Sequence, residues 1–73
     1  MIHDTAIIHQ DAEVGENTKV GPYCVLGKGV KIGNNCHLNS HVVVDGDVKI
    51  GEKTKIFSFA SIGSDPQDLK FKG

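Results

Sequence analysis

The stretch Val20-Gly-Pro-Tyr-Cys-Val-Leu26-Gly-Lys-Gly-Val-Lys-Ile32-Gly-Asn-Asn-Cys-His-Leu38 decides the fold. Its inward-type aliphatics recur every six residues. The same step continues in both directions, through Ile2, Ile8 and Val14 on one side and Val44, Ile50, Ile56 and Ile62 on the other. All eleven positions are Ile, Leu or Val, although those types make up only 18 of the 73 residues. A chance match in one register has a probability of roughly 10⁻⁷, so the period is signal.

Four residues after each aliphatic stands a small or β-branched residue: Ala6, Ala12, Thr18, Cys24, Val30, Cys36, Val42, Val48, Thr54, Ala60. Directly after it there is often a turn former, as at Gly15, Gly21, Gly27, Gly33, Asn39, Asp45, Gly51 and Gly63. Glycine accepts positive φ without a Cβ clash, so these positions are expected to carry the turns. A period of six fits no helix, which needs spacings of three and four. Six is a multiple of two, so the aliphatic and the small residue share one face of a strand. Short strands broken by a turn every six residues wind into a polygon. Three sides make an 18-residue coil, and stacked coils pair as parallel ladders about 4.8 Å apart. The expected fold is therefore all-β, a parallel β-helix of between three and four coils over residues 1–63. Residues 64–73 read as a loop leaving the coil, with no second domain. The pattern resembles that of hexapeptide-repeat proteins. That resemblance implies a left-handed helix, a hand that the period does not fix.

The 18-residue register predicts three inward columns: Ile2-Val20-Leu38-Ile56, Ile8-Leu26-Val44-Ile62 and Val14-Ile32-Ile50. Cys24 falls between Ala6 and Val42, and Cys36 between Thr18 and Thr54. The two cysteines thus lie on different sides of the prism, as small buried thiols rather than a disulfide or metal pair. A β-helix end exposes unpaired backbone and apolar core, so a further subunit or further chain is expected to cover it.

Composition narrows the function classes. A net charge of −1 gives no electrostatic reason to expect nucleic acid or an anionic membrane. The opening Met1-Ile-His-Asp-Thr-Ala shows no secretory pattern, and no apolar run is long enough to span a bilayer. A cytoplasmic chain is the expectation. The register stacks no histidine on another: His3 lies below Gly21, His9 below Gly27, His37 between Lys19 and Lys55, and His41 between Tyr23 and Phe59. No metal site and no cofactor is expected. The Tyr23-His41-Phe59 column reads either as a packing ridge at a subunit interface or as an exposed stack. Asp45-Gly46-Asp47 matches a metal-dependent sugar-transferase motif weakly and suits a repeat turn better. Gly27-Lys28-Gly29 lacks phosphate-loop spacing. Lys28, Lys31, Lys49, Lys53 and Lys55 are interspersed with acids, as on a solvated face.

The repeat stops at Ser64, and Pro66 occupies what should be the next small inward position. The segment Gln67-Asp68-Leu69-Lys70 is not required by the repeat. Its amide, carboxylate and ammonium could contact hydroxyls and a phosphate, or could be a solvated tail.

Several stretches carry a closer resemblance. His41-Val-Val-Val-Asp-Gly, Ile56-Phe-Ser-Phe-Ala-Ser-Ile-Gly and Pro66-Gln-Asp-Leu-Lys-Phe-Lys-Gly are similar to the acyl-carrier-protein–UDP-N-acetylglucosamine O-acyltransferases, as are Ala6-Ile-Ile-His and Val20-Gly-Pro-Tyr-Cys. The resemblance spans the whole chain. It implies a cytoplasmic homotrimer that moves a 3-hydroxyacyl chain from acyl carrier protein to the 3-hydroxyl of UDP-N-acetylglucosamine, the first step of lipid A biosynthesis. It places Gln67, Asp68 and Lys70 at substrate-contacting positions between subunits. The family's general base is a histidine on later coils, and none of the four histidines here matches its motif. The resemblance therefore implies an N-terminal portion that is inactive alone. The alternatives are a non-enzymatic trimerisation or scaffold module, or a piece of another hexapeptide acyl- or acetyltransferase.

Overall fold

The computed structural model describes residues 1–63. Ten two-residue strands run in order: β1 (Ile7–Ile8), β2 (Glu13–Val14), β3 (Lys19–Val20), β4 (Val25–Leu26), β5 (Lys31–Ile32), β6 (His37–Leu38), β7 (Val43–Val44), β8 (Lys49–Ile50), β9 (Lys55–Ile56) and β10 (Ser61–Ile62). They form three parallel sheets, β1-β4-β7-β10, β2-β5-β8 and β3-β6-β9, which are the sides of a prism. Each strand pairs with the strand 18 residues on, Ile8 with Leu26, Val14 with Ile32 and Val20 with Leu38. A bridge from Ile2 to Val20 adds a first layer to the β3 side. All three predicted columns are present, and no described helix is long and apolar enough to cross a membrane. The loop expected over 64–73 lies outside the described residues.

The second residue of each strand points inward, and the column members meet in the prism. Leu26, Leu38, Val30, Val42 and Val44 are fully buried, with Cys24 and Thr18 beside them. Both cysteines are free and buried, as expected. Each thiol donates to a backbone carbonyl of the next coil, Cys24 to Asn39 at 2.8 Å and Cys36 to Gly51 at 3.1 Å. Among the described residues, Thr18 brings the only hydroxyl of the fully buried side chains. It donates to the Gly33 carbonyl at 2.6 Å and accepts from the Cys36 N–H at 3.1 Å. Thr18→Val keeps the shape and removes both bonds. It is expected to cost about 1–3 kcal/mol, read as a lowered midpoint in urea, because two buried backbone groups lose a partner.

The turns form differently from expectation. Of the glycines that follow the aliphatics, Gly15, Gly21, Gly27, Gly33 and Gly51 do not have positive φ, and Gly63 does. Positive φ falls two residues later, on Asn17, Tyr23, Asn35, His41, Lys53 and Phe59. Pro22, with its fixed negative φ, prepares the turn that Tyr23 completes. Glycine is needed after the aliphatic for room instead. A Cβ on Gly15 would lie 2.6 Å from the Gly33 carbonyl, and one on Gly21 would lie 2.9 Å from the Asn39 backbone.

Two of the three vertices are stitched from coil to coil. At the vertex of Tyr23, His41 N–H donates to the Pro22 carbonyl at 2.9 Å and Phe59 N–H to the Ser40 carbonyl at 3.2 Å. At the vertex of Asn35, Asn35 N–H donates to the Glu16 carbonyl and Lys53 N–H to the Asn34 carbonyl. The third vertex, which includes Asp45, closes within each coil: Ala12 N–H donates to His9, Val30 to Gly27 and Val48 to Gly46. Among the described residues, His9, Gly27 and Asp45 donate to the next coil as part of the ladders, and no further backbone bond from the tip of this turn crosses over.

Candidate functional site

Gln67, Asp68 and Lys70 lie outside the described residues, so the structure constrains their site through the scaffold that leads to it. That scaffold ends at Gly63, on the Asp45 vertex. Its column contains His9, Gly27 and Asp45, none of which has positive φ, whereas Gly63 adopts φ 78°. A Cβ there would run into the Asp45 carbonyl and Val48 Cγ2. Only glycine fits both the backbone angle and the approach to the coil beneath, so the chain departs from its repeat geometry at this residue.

The vertex itself is a turn built by its own side chains. Asp45 Oδ1 accepts the Gly46 N–H at 2.9 Å, and Gly46 supplies φ 86°. The Asp45-Gly46-Asp47 motif therefore has a structural job, and no group of three metal-ligating side chains occurs among the described residues. Beside this vertex, the outer face of β2-β5-β8 holds two shallow concavities. One is lined by Glu13, Lys31, Ile32, Gly33, Lys49 and Ile50, the other by Gly29, Lys31, Asp47, Val48 and Lys49.

The histidines take local roles. His3 Nδ1 accepts the Thr5 N–H at 3.2 Å and meets Thr5 Oγ1 at 2.9 Å, while that hydroxyl oxygen accepts the Tyr23 N–H. His9 Nδ1 accepts the Asp11 N–H at 3.0 Å. Both imidazoles cap first-coil turns, as Asn and Asp side chains often do. His37 lies in register between Lys19 and Lys55. His41 stacks on Tyr23 with ring centroids 5.2 Å apart, and Phe59 stacks on His41 at 5.0 Å. The stack is exposed, with Tyr23 at 58% and Phe59 at 77%. The sequence foresaw this column but missed what borders it. The outward residues of β1, β4 and β7 are Ile7, Val25 and Val43, so this side of the prism is apolar outside as well as inside. Stepping by 18 through the residues just before the inward aliphatics would have revealed it.

Comparisons with known proteins fit these features. Residues 11–46 match the bacterial transferase hexapeptide family model of six repeats. Fold and repeat together give a left-handed parallel β-helix built from hexapeptide repeats, the fold that the resemblance implied. Within that class, the chain is similar to acyl-[acyl-carrier-protein]–UDP-N-acetylglucosamine O-acyltransferases. The one from Rickettsia typhi is 56% identical over 70 residues, 96% of this chain and 26% of the relative. The structure of the UDP-N-acetylglucosamine acyltransferase of Francisella novicida superposes with a TM-score of 0.89 at 44% identity, covering 99% of this chain and 26% of that one. The Campylobacter jejuni enzyme gives a TM-score of 0.90 at 32% identity, covering 97% of this chain and 28% of that one. The chain therefore spans about a quarter of the length of these relatives.

Proposed function

We propose that this chain is the N-terminal portion of an enzyme that transfers a 3-hydroxyacyl group from acyl carrier protein to the 3-hydroxyl of UDP-N-acetylglucosamine, at the first step of lipid A biosynthesis. The observation that carries this reading is the similarity to such acyltransferases over nearly the whole chain, the non-repeat segment after Gly63 included. In this reading Asp68 holds a substrate hydroxyl, Gln67 adds amide hydrogen bonds, and Lys70 offsets the charge of the nucleotide. In this reading the general base is not among the four histidines of the chain. His3 and His9 cap turns through Nδ1, and His41 lies within the ring stack. A base must reach the attacking hydroxyl within hydrogen-bond distance, and the 73 residues alone are proposed to be inactive.

The assembly proposed is a homotrimer in the cytoplasm, with sites between subunits. The apolar strip of Ile7, Val25 and Val43, next to the exposed Tyr23-His41-Phe59 stack, supports such packing, because large contiguous apolar surface marks contact sites. The test combines two measurements on the purified chain. Incubation with 3-hydroxyacyl carrier protein and UDP-N-acetylglucosamine should give no acyl transfer. Titration calorimetry should show UDP-N-acetylglucosamine binding that Asp68→Ala weakens about tenfold, the effect of one charge-assisted hydrogen bond. Equal binding by the variant would favour the scaffold-module reading instead.

A further inference from the structure

The prism edge that carries the Tyr23-His41-Phe59 stack is free of permanent charge. Residues 20–26, 38–44 and 56–62 pass through this vertex and along β4, β7 and β10 in three successive coils, and they contain no Asp, Glu, Lys or Arg. Charged types make up 23% of the chain, so their absence belongs to this edge and not to the composition. In the same coils the charges fall elsewhere on the outline, as at Lys31, Asp45, Lys49 and Lys55. What the edge exposes is apolar: Ile7 and Val43 on the sheet, with Tyr23, Phe57 and Phe59 at the vertex. Apolar surface depleted of charge is the composition of an interface core.

One side chain of this edge changes charge near neutral pH, and that is His41. Its imidazole lies between two neutral rings, with centroids 5.2 Å from Tyr23 and 5.0 Å from Phe59. Among the described residues it makes these two contacts and no ion pair. The turns above and below it offer the Tyr23 phenol, the buried Cys24 thiol, and the Ser40 and Ser58 hydroxyls, which meet each other at 3.2 Å. By register the nearest acid of this edge is Asp4, two coils below Ser40. Lys19, His37 and Lys55 belong to the neighbouring face, and Asp45 to the next vertex. An imidazolium here is tolerated while the edge is wet, since water and the two ring faces solvate it. Once another copy covers the edge the water is gone, and the charge is left without a partner, which is costly.

We infer that copies of this chain pack together along the Tyr23-His41-Phe59 edge and that protonation of His41 releases them. The inference rests on the assembly proposed above and adds its regulation by pH. A second copy suits the edge better than the chain's own terminal segment does. Residues 64–73 include Asp65, Asp68, Lys70 and Lys72, charges that this edge does not answer, whereas the same edge of another copy carries none. Acid therefore opposes assembly, and raising the pH through the imidazole range restores it.

Sedimentation equilibrium of the full 73-residue chain at about pH 8 and about pH 5.5 tests this. The wild type should assemble at the higher pH, and its dissociation constant should rise at least about tenfold at the lower one. His41→Phe keeps a ring in the stack and removes the charge. Phe59 holds φ 66° at the same vertex, so phenylalanine suits the backbone there. This variant should assemble equally well at both pH values. His41→Lys makes the charge permanent, and Lys53 at φ 61° shows that lysine accepts such a turn. It should be as dissociated at the higher pH as the wild type is at the lower. Circular dichroism of each protein at both pH values separates dissociation from unfolding. Acid dissociation of His41→Phe to the same extent as the wild type overturns the inference. Equal assembly of the wild type at both pH values also overturns it and leaves the proposed assembly standing. A wild type that is monomeric at both defeats the inference and the assembly together, while the acyltransferase reading is judged separately by the Asp68→Ala titration.

Discussion

Leu38→Ala is expected to remove about half of the chain's stability at 25 °C. Leu38 is fully buried in the middle of its column, between Val20 and Ile56. Truncating such a leucine costs about 2–5 kcal/mol through lost transfer energy and the cavity left behind. A domain of this length has roughly 4–11 kcal/mol of stability in all. The cavity has little chance to collapse, because the backbone on each side is fixed by ladder bonds to the coils below and above. Urea titration followed by circular dichroism measures the effect. Ile62→Ala serves as the comparison. Ile62 is half-buried in the last described layer, and its loss should be clearly smaller. Equal losses at the two positions would mean that the prism is no better packed in its centre than at its end.

The second large effect is a contrast between two glycines in one column. Gly15→Ala puts a Cβ 2.6 Å from the Gly33 carbonyl, an atom of the backbone ladder that cannot swing away. The first and second coils must separate at that vertex, and the expected cost is about 1–3 kcal/mol, as for overpacking elsewhere. Gly51→Ala, two coils higher, meets nothing within 4 Å among the described residues. Its φ is not positive, so alanine is compatible there. That substitution should be neutral or stabilise by up to about 1 kcal/mol, by restricting the unfolded chain. Paired thermal melts of the two variants read the sign directly, and a destabilised Gly51→Ala would mean that this glycine is needed for more than space.

The contrast also shows where sequence reasoning reaches and where it stops. The inward columns were legible because an aliphatic every six residues leaves few ways to bury it, and 18 residues per coil fixes the vertical neighbours. Val20 beneath Leu38 and Leu26 beneath Val44 follow from counting. The glycines were legible as turn markers, but positive φ, the reason assigned to them, holds at Gly63 and not at Gly15, Gly21, Gly27, Gly33 or Gly51. Their Cβ-free backbone admits the next coil, and the left-handed angles fall on larger residues such as Tyr23 and Phe59. Composition could not distinguish those causes, because both favour glycine. The lysines were read as a solvated scatter. The 18-residue register already sets Lys31 beneath Lys49 and His37 between Lys19 and Lys55, and the strand pairing agrees. Gln67, Asp68 and Lys70 fall after the period ends, so no column positions them. Their assignment rested on resemblance from the start.

The unstitched Asp45 vertex has a consequence for how such a chain can change in length. At the Tyr23 and Asn35 vertices an added residue would displace a carbonyl that the coil above uses, and the disturbance would pass upward. At the Asp45 vertex the tip of each turn closes within its own coil, so extra residues placed at the tip spare the bonds that Gly27 and Asp45 make to the next coil. Insertion tolerance follows backbone hydrogen bonding, and this corner is the part of the prism with least to lose. The sequence departs from its period at the fourth copy of this corner, immediately after Gly63. A solenoid built this way can acquire excursions of new length and chemistry along one edge while its other two edges keep the coils in register.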